Sequence, residues 1–301
     1  MLNETLVREL LASQFPEWSD LPIESVEFNG WDNTTFRLGK DMSIRLPTGE
    51  WYAEQVEKEQ KWLPRLAPSL PLPVPVPLVK GAPTDRFPWP WSVYKWIEGE
   101  IALKADIADL TRFAETLATF LLALQRIPAS DGPPPGVHNF YRGIPLTTHD
   151  PELPYNMPGN WRTSDSIKAL HNHIDARAAT EVWESGLESE WEGPPVWIHG
   201  DVAATNLLVR GGRLSAVIDF GCSGVGDPAC DLVIAWTFLS GESRMAFRET
   251  LQLDDKTWAR GRAWALWKAA IVLGQSIDSD PEEAANQKRV INEIVTDALL
   301  S

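Results

Sequence analysis

Cysteine is nearly absent from this chain. Its 301 residues include two, Cys222 and Cys230, too few for a disulfide framework or a thiolate zinc site. Both are read as small buried residues. Positive charge is scarce as well: 27 Lys and Arg stand against 42 Asp and Glu, a formal net charge of -15. Nucleic-acid binders are normally basic, so no nucleic-acid partner is expected. No segment approaches the roughly 20 apolar residues of a membrane span, so no membrane partner is expected either. The N-terminal stretch "MLNETLVRELLASQF" has no basic n-region and no uninterrupted apolar h-region. It reads as an amphipathic helix rather than a signal peptide, and a cytoplasmic protein is expected.

What is present suits a packed interior. Hydrophobic residues make up 44% of the chain, and 15 of its residues are tryptophan. The negative balance fits a solvated acidic surface, and it also fits a cleft that attracts cationic small molecules.

Along the chain, the first third is rich in strands. After a helix over 5–15 come "SVEF" (Ser25 to Phe28), "TTFRL" (Thr34 to Leu38) and "MSIRL" (Met42 to Leu46). The turns between them, "NGWDN" and "GKD", make an antiparallel meander. A helix over Tyr52–Leu66 follows. The stretch "LPLPVPVPLV" (Leu70 to Val79) is an extended connection, since proline cannot donate to a ladder. The alternative is a polyproline ligand. "WSVYKWI" (Trp91 to Ile97) is a strand. Apolar residues at helical spacing then run over Leu103–Arg126, a second helix spans 164–185, and from Pro228 the pattern is helical. The expected fold class is α+β with two lobes: 1–97, an antiparallel-sheet N-lobe with one core helix, and 98–301, a mainly helical C-lobe.

The polar insert "HGDVAATN" (His199 to Asn206) stands between apolar runs, and "LLVRGGRLSAVIDFG" follows it. Gly211-Gly212 predicts a two-residue hairpin of type I′. That turn sets Arg210 opposite Arg213 and Asn206 opposite Val217, with Asp219 two residues further. Asn206 and Asp219 become diagonal neighbours on one face, with Cβ atoms on the order of 7 Å apart. An amide oxygen and a carboxylate so placed can both reach magnesium, a hard ion with ligands at ~2.1 Å. The alternative is that each residue bonds local backbone. Asp201, five residues before Asn206, is placed to accept a hydroxyl proton.

"HGDVAATN" with "IDFG" resembles the catalytic loop and metal motif of the aminoglycoside phosphotransferase family, relatives of the protein kinases. The resemblance runs from "NGWDNTTFRL" to the final helices and implies a protein-kinase-like fold. It implies Mg2+ as cofactor and ATP or GTP as co-substrate, with Asp201 as catalytic base and Asn206 and Asp219 as metal ligands. "NGWDN" resembles the loop over the nucleotide phosphates, with Gly30 and Asn33 as its binding residues. "SIRLP" resembles the strand that usually carries a phosphate-binding lysine; here Arg45 stands there, and arginine differs in reach and geometry. Its expected partner is Glu59, with Glu57 as runner-up. "VYKWIEG" resembles the hinge, where the Lys95 carbonyl and Ile97 amide would hold the adenine. In "GDPACDL", Asp231 would brace the catalytic loop and Asp227 would face the acceptor.

Two departures point away from a protein kinase. Kinases commonly carry a basic residue two after the catalytic Asp, and here that residue is Ala203. Only four residues separate "DFG" from "GDP", too few to dock a peptide. The expected partner is a small hydroxyl-bearing acceptor of cationic, aminoglycoside type, met by the helical lobe near Glu188, Glu190 and Glu192. A macrolide, a choline- or sugar-like metabolite, and an inactive nucleotide-binding pseudokinase are the alternatives. "GCSGVG" (Gly221 to Gly226) lacks dinucleotide-loop spacing, and "HNH" (His171 to His173) on a helix would point its imidazoles apart.

Overall fold

The computed structural model describes residues 2–27, 29–30, 32–148 and 162–300. Helix α1 (Glu4–Gln14) starts at Asn3, whose side chain accepts the Leu6 N–H. Leu6, Val7, Leu10 and Leu11 form its buried stripe. The stripe packs on a five-stranded antiparallel sheet of order β1-β2-β3-β5-β4. Its strands are β1 (Ile23–Ser25), β2 (Asn33–Leu38), β3 (Met42–Pro47), β4 (Pro77–Gly81) and β5 (Trp91–Lys95). The first strand lies earlier than Ser25–Phe28, because Ile23 is the buried residue that pairs with Leu38. Phe28 and Trp31 lie outside the described residues.

Side chains alternate across the sheet. Phe36, Leu38, Ile44 and Leu46 pack with α1 in a small core. Arg45 alternates with Ile44 and Leu46 and therefore points to the opposite face, towards α2 (Glu50–Leu66). The proline-rich connection ends in β4 at the sheet edge, where proline sacrifices no interior ladder bond. Its backbone is engaged: the Pro73 carbonyl accepts the Val217 N–H at 3.1 Å and the Val76 carbonyl accepts that of Lys95 at 2.9 Å. With Val74 buried between them, this is a structural strap and not a presented polyproline ligand.

Beyond β5 the chain enters a helical region through β6 (Glu100–Ile101). There β7 (Val196–Ile198), β8 (Leu207–Arg210), β9 (Arg213–Val217) and β10 (Gly224–Gly226) carry the central motifs. Helix α3 (Leu110–Gln125) begins later than Leu103, since the Asp109 side chain caps it through the Arg112 N–H. The stretch 164–185 is two helices, α4 (Thr163–Ala169) and α5 (Ala176–Leu187), separated where Asp175 caps the second. His171 and His173 therefore sit in a turn and not on a helix. Then come α6 (Ile234–Thr237), α7 (Gly241–Leu251), α8 (Asp255–Ser276) and α9 (Pro281–Leu299). Helix α8 is buried on most sides, and Trp236, Trp258 and Trp264 are nearly inaccessible around it.

Asp227 is spent on this packing. Its carboxylate caps the following turn through the Ala229 N–H and pairs with Arg260 at 2.7 Å, with both side chains at most 4% exposed. It is therefore not open to an acceptor, contrary to the expectation from the motif. Arg260 also donates to Ser189 and Thr257. Removing one partner of such a pair leaves a buried charge. Arg260→Leu is expected to lower stability by about 3–5 kcal/mol, read from the urea midpoint, and Asp227→Asn/Arg260→Leu to cost less than the sum of the two single changes.

Candidate active site

The catalytic-loop motif begins where β7 ends. Gly200 has φ +81°, and a Cβ there would lie 2.2 Å from the Cys222 carbonyl oxygen, so only glycine fits. Asp231 accepts the His199 N–H at 2.8 Å and the Gly200 N–H at 2.7 Å. That is the bracing geometry anticipated for it. The His199 ring, fully buried, accepts the Asp201 N–H at Nδ1 and bonds the Ile218 carbonyl through Nε2. This pattern assigns the neutral Nε2–H tautomer. One imidazole thus ties the loop before Asp201 to the segment before Asp219.

Asp201 has two side-chain partners. Its Oδ1 accepts from Lys268 Nζ at 2.6 Å, and its Oδ2 accepts from Asn206 Nδ2 at 3.1 Å. Burial alone would raise this carboxyl, but Lys268, by its charge and its hydrogen bond, with Arg142 behind it, outweighs burial and holds it at about 2. Arg142 donates from Nε to the Gly200 carbonyl, and its guanidinium lies 4.2 Å over the Trp267 ring. Neither Lys268 nor Arg142 belongs to a motif. The one signal for Lys268 is a cation at helical spacing on an otherwise buried stripe with Trp264 and Ile271.

The hairpin differs from its expected register. Gly211 and Gly212 take φ +58° and +73°, and Arg210 faces Arg213. Ser215 is then bulged: Val209 pairs with Leu214, but Leu208 pairs with Ala216. Leu207 therefore faces Val217, and the Asn206 carbonyl accepts the Ile218 N–H at 2.9 Å. Asn206 ends a short 3-10 turn, and Asp219 leaves the strand at φ +67°. The two residues stand on neighbouring segments, but through a bulge and a left-handed residue, not as a diagonal strand pair.

Arg45 joins this region to the sheet. Its guanidinium donates to Asp219 Oδ1 at 2.9 Å and to Glu59 Oε1 at 3.4 Å. Burial opposes its charge, but Asp219 and then Glu59 prevail and keep it protonated. Glu59 also accepts the Tyr94 hydroxyl. Glu57, the runner-up, is paired instead with Lys80 on the surface.

Two further residues of this region were not anticipated. Lys58 is buried and donates to the Gly221 carbonyl at 2.5 Å, the Ser223 carbonyl at 2.9 Å and the His138 carbonyl at 3.2 Å. Burial lowers its pKa to about 8. Gln55, Lys58 and Glu59 continue the Trp62, Leu63 and Leu66 stripe of α2 at helical spacing, a polar segment of a buried face legible in "EQVEKEQKWL". Asp32, in the "NGWDN" loop, is pushed up to about 7 by burial and next by the charge of Asp219.

Gly30 is exposed in that loop, and Asn33 is buried at the start of β2 opposite Pro47. Asn29 pins the loop by accepting the Thr35 N–H at 2.6 Å. At the hinge, Lys95 and Ile97 help to line an open cavity of about 560 Å3 bounded by Leu70, Pro73, Arg210 and Ser215; it shares no lining residue with the Asp201 surroundings. Among the described residues, the Ile97 N–H makes no backbone hydrogen bond. Glu188, Glu190 and Glu192 are exposed, and Glu190 accepts the Thr147 hydroxyl.

The donor set suits magnesium. Asn206 commits its Nδ2 to Asp201, which leaves Oδ1 for a ligand role, and only one Asp219 oxygen is taken by Arg45. The Asp32 carboxyl, raised chiefly by burial and next by the charge of Asp219, lies within electrostatic reach of the same pair. Among the described residues no three His, Cys, Asp or Glu side chains converge as a self-sufficient metal site. Two protein oxygens completed by phosphates and water are the usual magnesium arrangement.

Comparison with known proteins gives a consistent result. The sequence model of a phosphotransferase enzyme family, abbreviated APH, matches residues 25–264. An aminoglycoside 3′-phosphotransferase from Escherichia coli is 29% identical over 195 residues, which are 62% of this chain and 65% of the relative. The chain thus spans just under two thirds of the length of that curated relative. An aminoglycoside 2″-phosphotransferase solved with GDP and kanamycin superimposes with a TM-score of 0.71 at 18% identity, over 98% of this chain and 99% of the other. A macrolide 2′-phosphotransferase from Brachybacterium faecium superimposes at 0.60 and 19% identity, over 95% and 98%. At these identities the solved structures show a shared fold, a two-lobed kinase-like one. No helix among the described residues is long and apolar enough to cross a membrane.

The low Asp201 pKa has a definite sign. A folded-state value of about 2, below the ordinary 3.8, favours the folded state above about pH 4, and this contribution is lost as pH falls towards 2. Carboxyl carbon NMR should find Asp201 ionised at pH 4 and above, and Lys268→Met should move its midpoint upward. A wild-type midpoint above about 5 would contradict the ion pair.

Proposed function

Because the chain belongs to the phosphotransferase enzyme family, we propose that it transfers the γ-phosphate of ATP or GTP to a hydroxyl of a small molecule in a magnesium-dependent reaction. The observation that carries this reading is the hydrogen-bonded pair Asp201 and Asn206, set against the segment that ends in Asp219. Three hard-oxygen side chains in that order suit phosphoryl transfer, which asks for positioning and charge neutralisation more than covalent chemistry.

Each residue then has one task. Asp201, ionised throughout the neutral range, orients the acceptor hydroxyl and takes its proton. Each Asp201 oxygen has one side-chain partner, and a carboxylate oxygen has two lone pairs, so room remains for the hydroxyl. Asn206 and Asp219 hold magnesium, which when bound supplies positive charge to the phosphates. Arg45, steadied by Glu59, contacts the phosphates in place of the usual lysine. The loop carrying Gly30 and Asn33 covers them, and the Lys95 carbonyl and the Ile97 N–H hold the purine. The nucleotide would be that of the cytoplasm.

For the acceptor, an aminoglycoside-type hydroxyl is the first reading, from the relatives that bind such molecules. A second reading has one specific observation behind it. Arg142 and Lys268 flank Asp201, with Trp264 and Trp267 in the same wall. Among the described residues of that wall Asp201 is the one carboxylate. This lining suits an acceptor that is neutral or acidic next to its hydroxyl, such as a sugar-like metabolite alcohol, better than a polycation.

A panel of aminoglycosides, macrolides and metabolite alcohols, read by magnesium-dependent release of nucleoside diphosphate, tests both readings. Asp201→Asn is expected to lower transfer by about 10²- to 10⁴-fold while nucleoside-diphosphate affinity stays within threefold. Full activity in Asp201→Asn would overturn the base assignment. Tight nucleotide binding without turnover on any acceptor would favour an inactive nucleotide-binding protein.

A further inference from the structure

Ala203 leaves the catalytic loop without the cation that kinase-like loops commonly carry two residues after the catalytic carboxylate. A transferring phosphoryl group concentrates negative charge close to that carboxylate, so the deficit has to be met from elsewhere. The described residues within reach of Asp201 show where. Lys268, on α8, places Nζ 2.6 Å from Asp201 Oδ1 with its side chain 34% exposed. It arrives from a different element of the fold, a turn beyond Trp264 on a helix whose other faces are buried.

We propose that Lys268 supplies the missing charge, bridging the Asp201 carboxylate and the phosphoryl group in transfer. Four observations support the assignment. First, an ammonium has three donors, and among the described residues one of them is used, on Asp201. Second, the surroundings carry excess positive charge: Arg142 and Lys268 stand against Asp201 alone. Third, Arg142 Nη1 is buried without a hydrogen-bond partner among the described residues, so the neighbouring cation has no carboxylate of its own and adds to the positive charge beside Lys268. Fourth, Trp264, Trp267 and Val233 wall the group, and a lower local dielectric strengthens the attraction between an ammonium and a phosphoryl oxygen.

The proposal rests on the phosphotransfer reading. In the step, the acceptor oxygen bonds to the γ-phosphorus. The bond from that phosphorus to the β–γ bridging oxygen breaks, and its electron pair leaves with the nucleoside diphosphate. The hydroxyl proton passes to Asp201. Lys268 gains and loses no proton; it holds its ammonium against a non-bridging oxygen while the charge is largest.

The test uses the full chain with Mg·ATP and Mg·GTP and water as acceptor, so no knowledge of the natural acceptor is needed. Affinity for a fluorescent ADP and trapping of ADP with aluminium fluoride, which imitates the phosphoryl group in flight, are read alongside phosphate release. Lys268→Met is expected to lower the turnover number about 10²- to 10³-fold, to abolish aluminium-fluoride trapping, and to leave ADP affinity within threefold. Ala203→Lys in the Lys268→Met background restores a cation beside Asp201 from the loop itself and is expected to recover at least about tenfold. Lys268→Arg, which keeps charge and helix packing, covers the case in which the methionine variant unfolds, and it is expected to retain trapping. Unchanged turnover in Lys268→Met, or a loss that leaves trapping intact and that Ala203→Lys does not repair, overturns the assignment while the phosphotransfer reading stands. A wild-type chain that neither turns over nor traps ADP removes that reading and this one together.

Discussion

Arg45 donates to Glu59 on one side and Asp219 on the other, and three independently determined pieces of chain have to agree for it to do so. Strand alternation in β3 sends its side chain away from the small core beneath α1. The buried stripe of α2 carries Glu59 to it. A left-handed residue after β9 swings Asp219 towards it. The guanidinium is 13% exposed, and Glu59 is 5% exposed. Charges this deep persist because they are paired; any one alone would face a desolvation cost of several kcal/mol. Arginine suits the post better than lysine, since its planar fork reaches two carboxylates at once. A lysine would meet them as a compact point charge without that fixed fork.

The buried polar stripe of α2 extends this coupling. Lys58 holds the carbonyls of Gly221 and Ser223, just after Asp219, while Glu59 holds Arg45. Adjacent residues of one helix therefore grip the same motif, one through backbone and one through a side chain. A shift of α2 would break both grips together. The orientation of the helix and the position of Asp219 are in this way a single structural variable.

Charge around Asp201 runs against the charge of the whole. A chain with a net charge of -15 places two cations, Arg142 and Lys268, around Asp201. Net charge governs solubility and long-range attraction. Local chemistry is set by the few groups within a few ångströms, where screening is weakest. The acidic surface of the whole is therefore a poor guide to the lining of the Asp201 wall, which is cationic.

Sequence alone was enough for the antiparallel sheet, the helical second lobe, the hairpin turn at Gly211-Gly212 and the grouping of Asp201, Asn206 and Asp219 around one loop. These are local matters: alternation, helical spacing, the positive φ of a type I′ turn and a motif with strict spacing. The pairing of Arg45 with Glu59 came from the family resemblance, with Glu57 as runner-up, and the structure shows it. Tertiary structure decided the rest. It placed the Ser215 bulge that shifts Asn206 by one residue, gave Asp227 to Arg260, and brought Lys268 and Arg142 to Asp201 across 67 and 59 positions of chain. A bulge has no residue signature when every neighbour is strand-like. Contacts between distant segments depend on how helices pack, and a lysine in a tryptophan-rich helix does not announce which carboxylate it will meet.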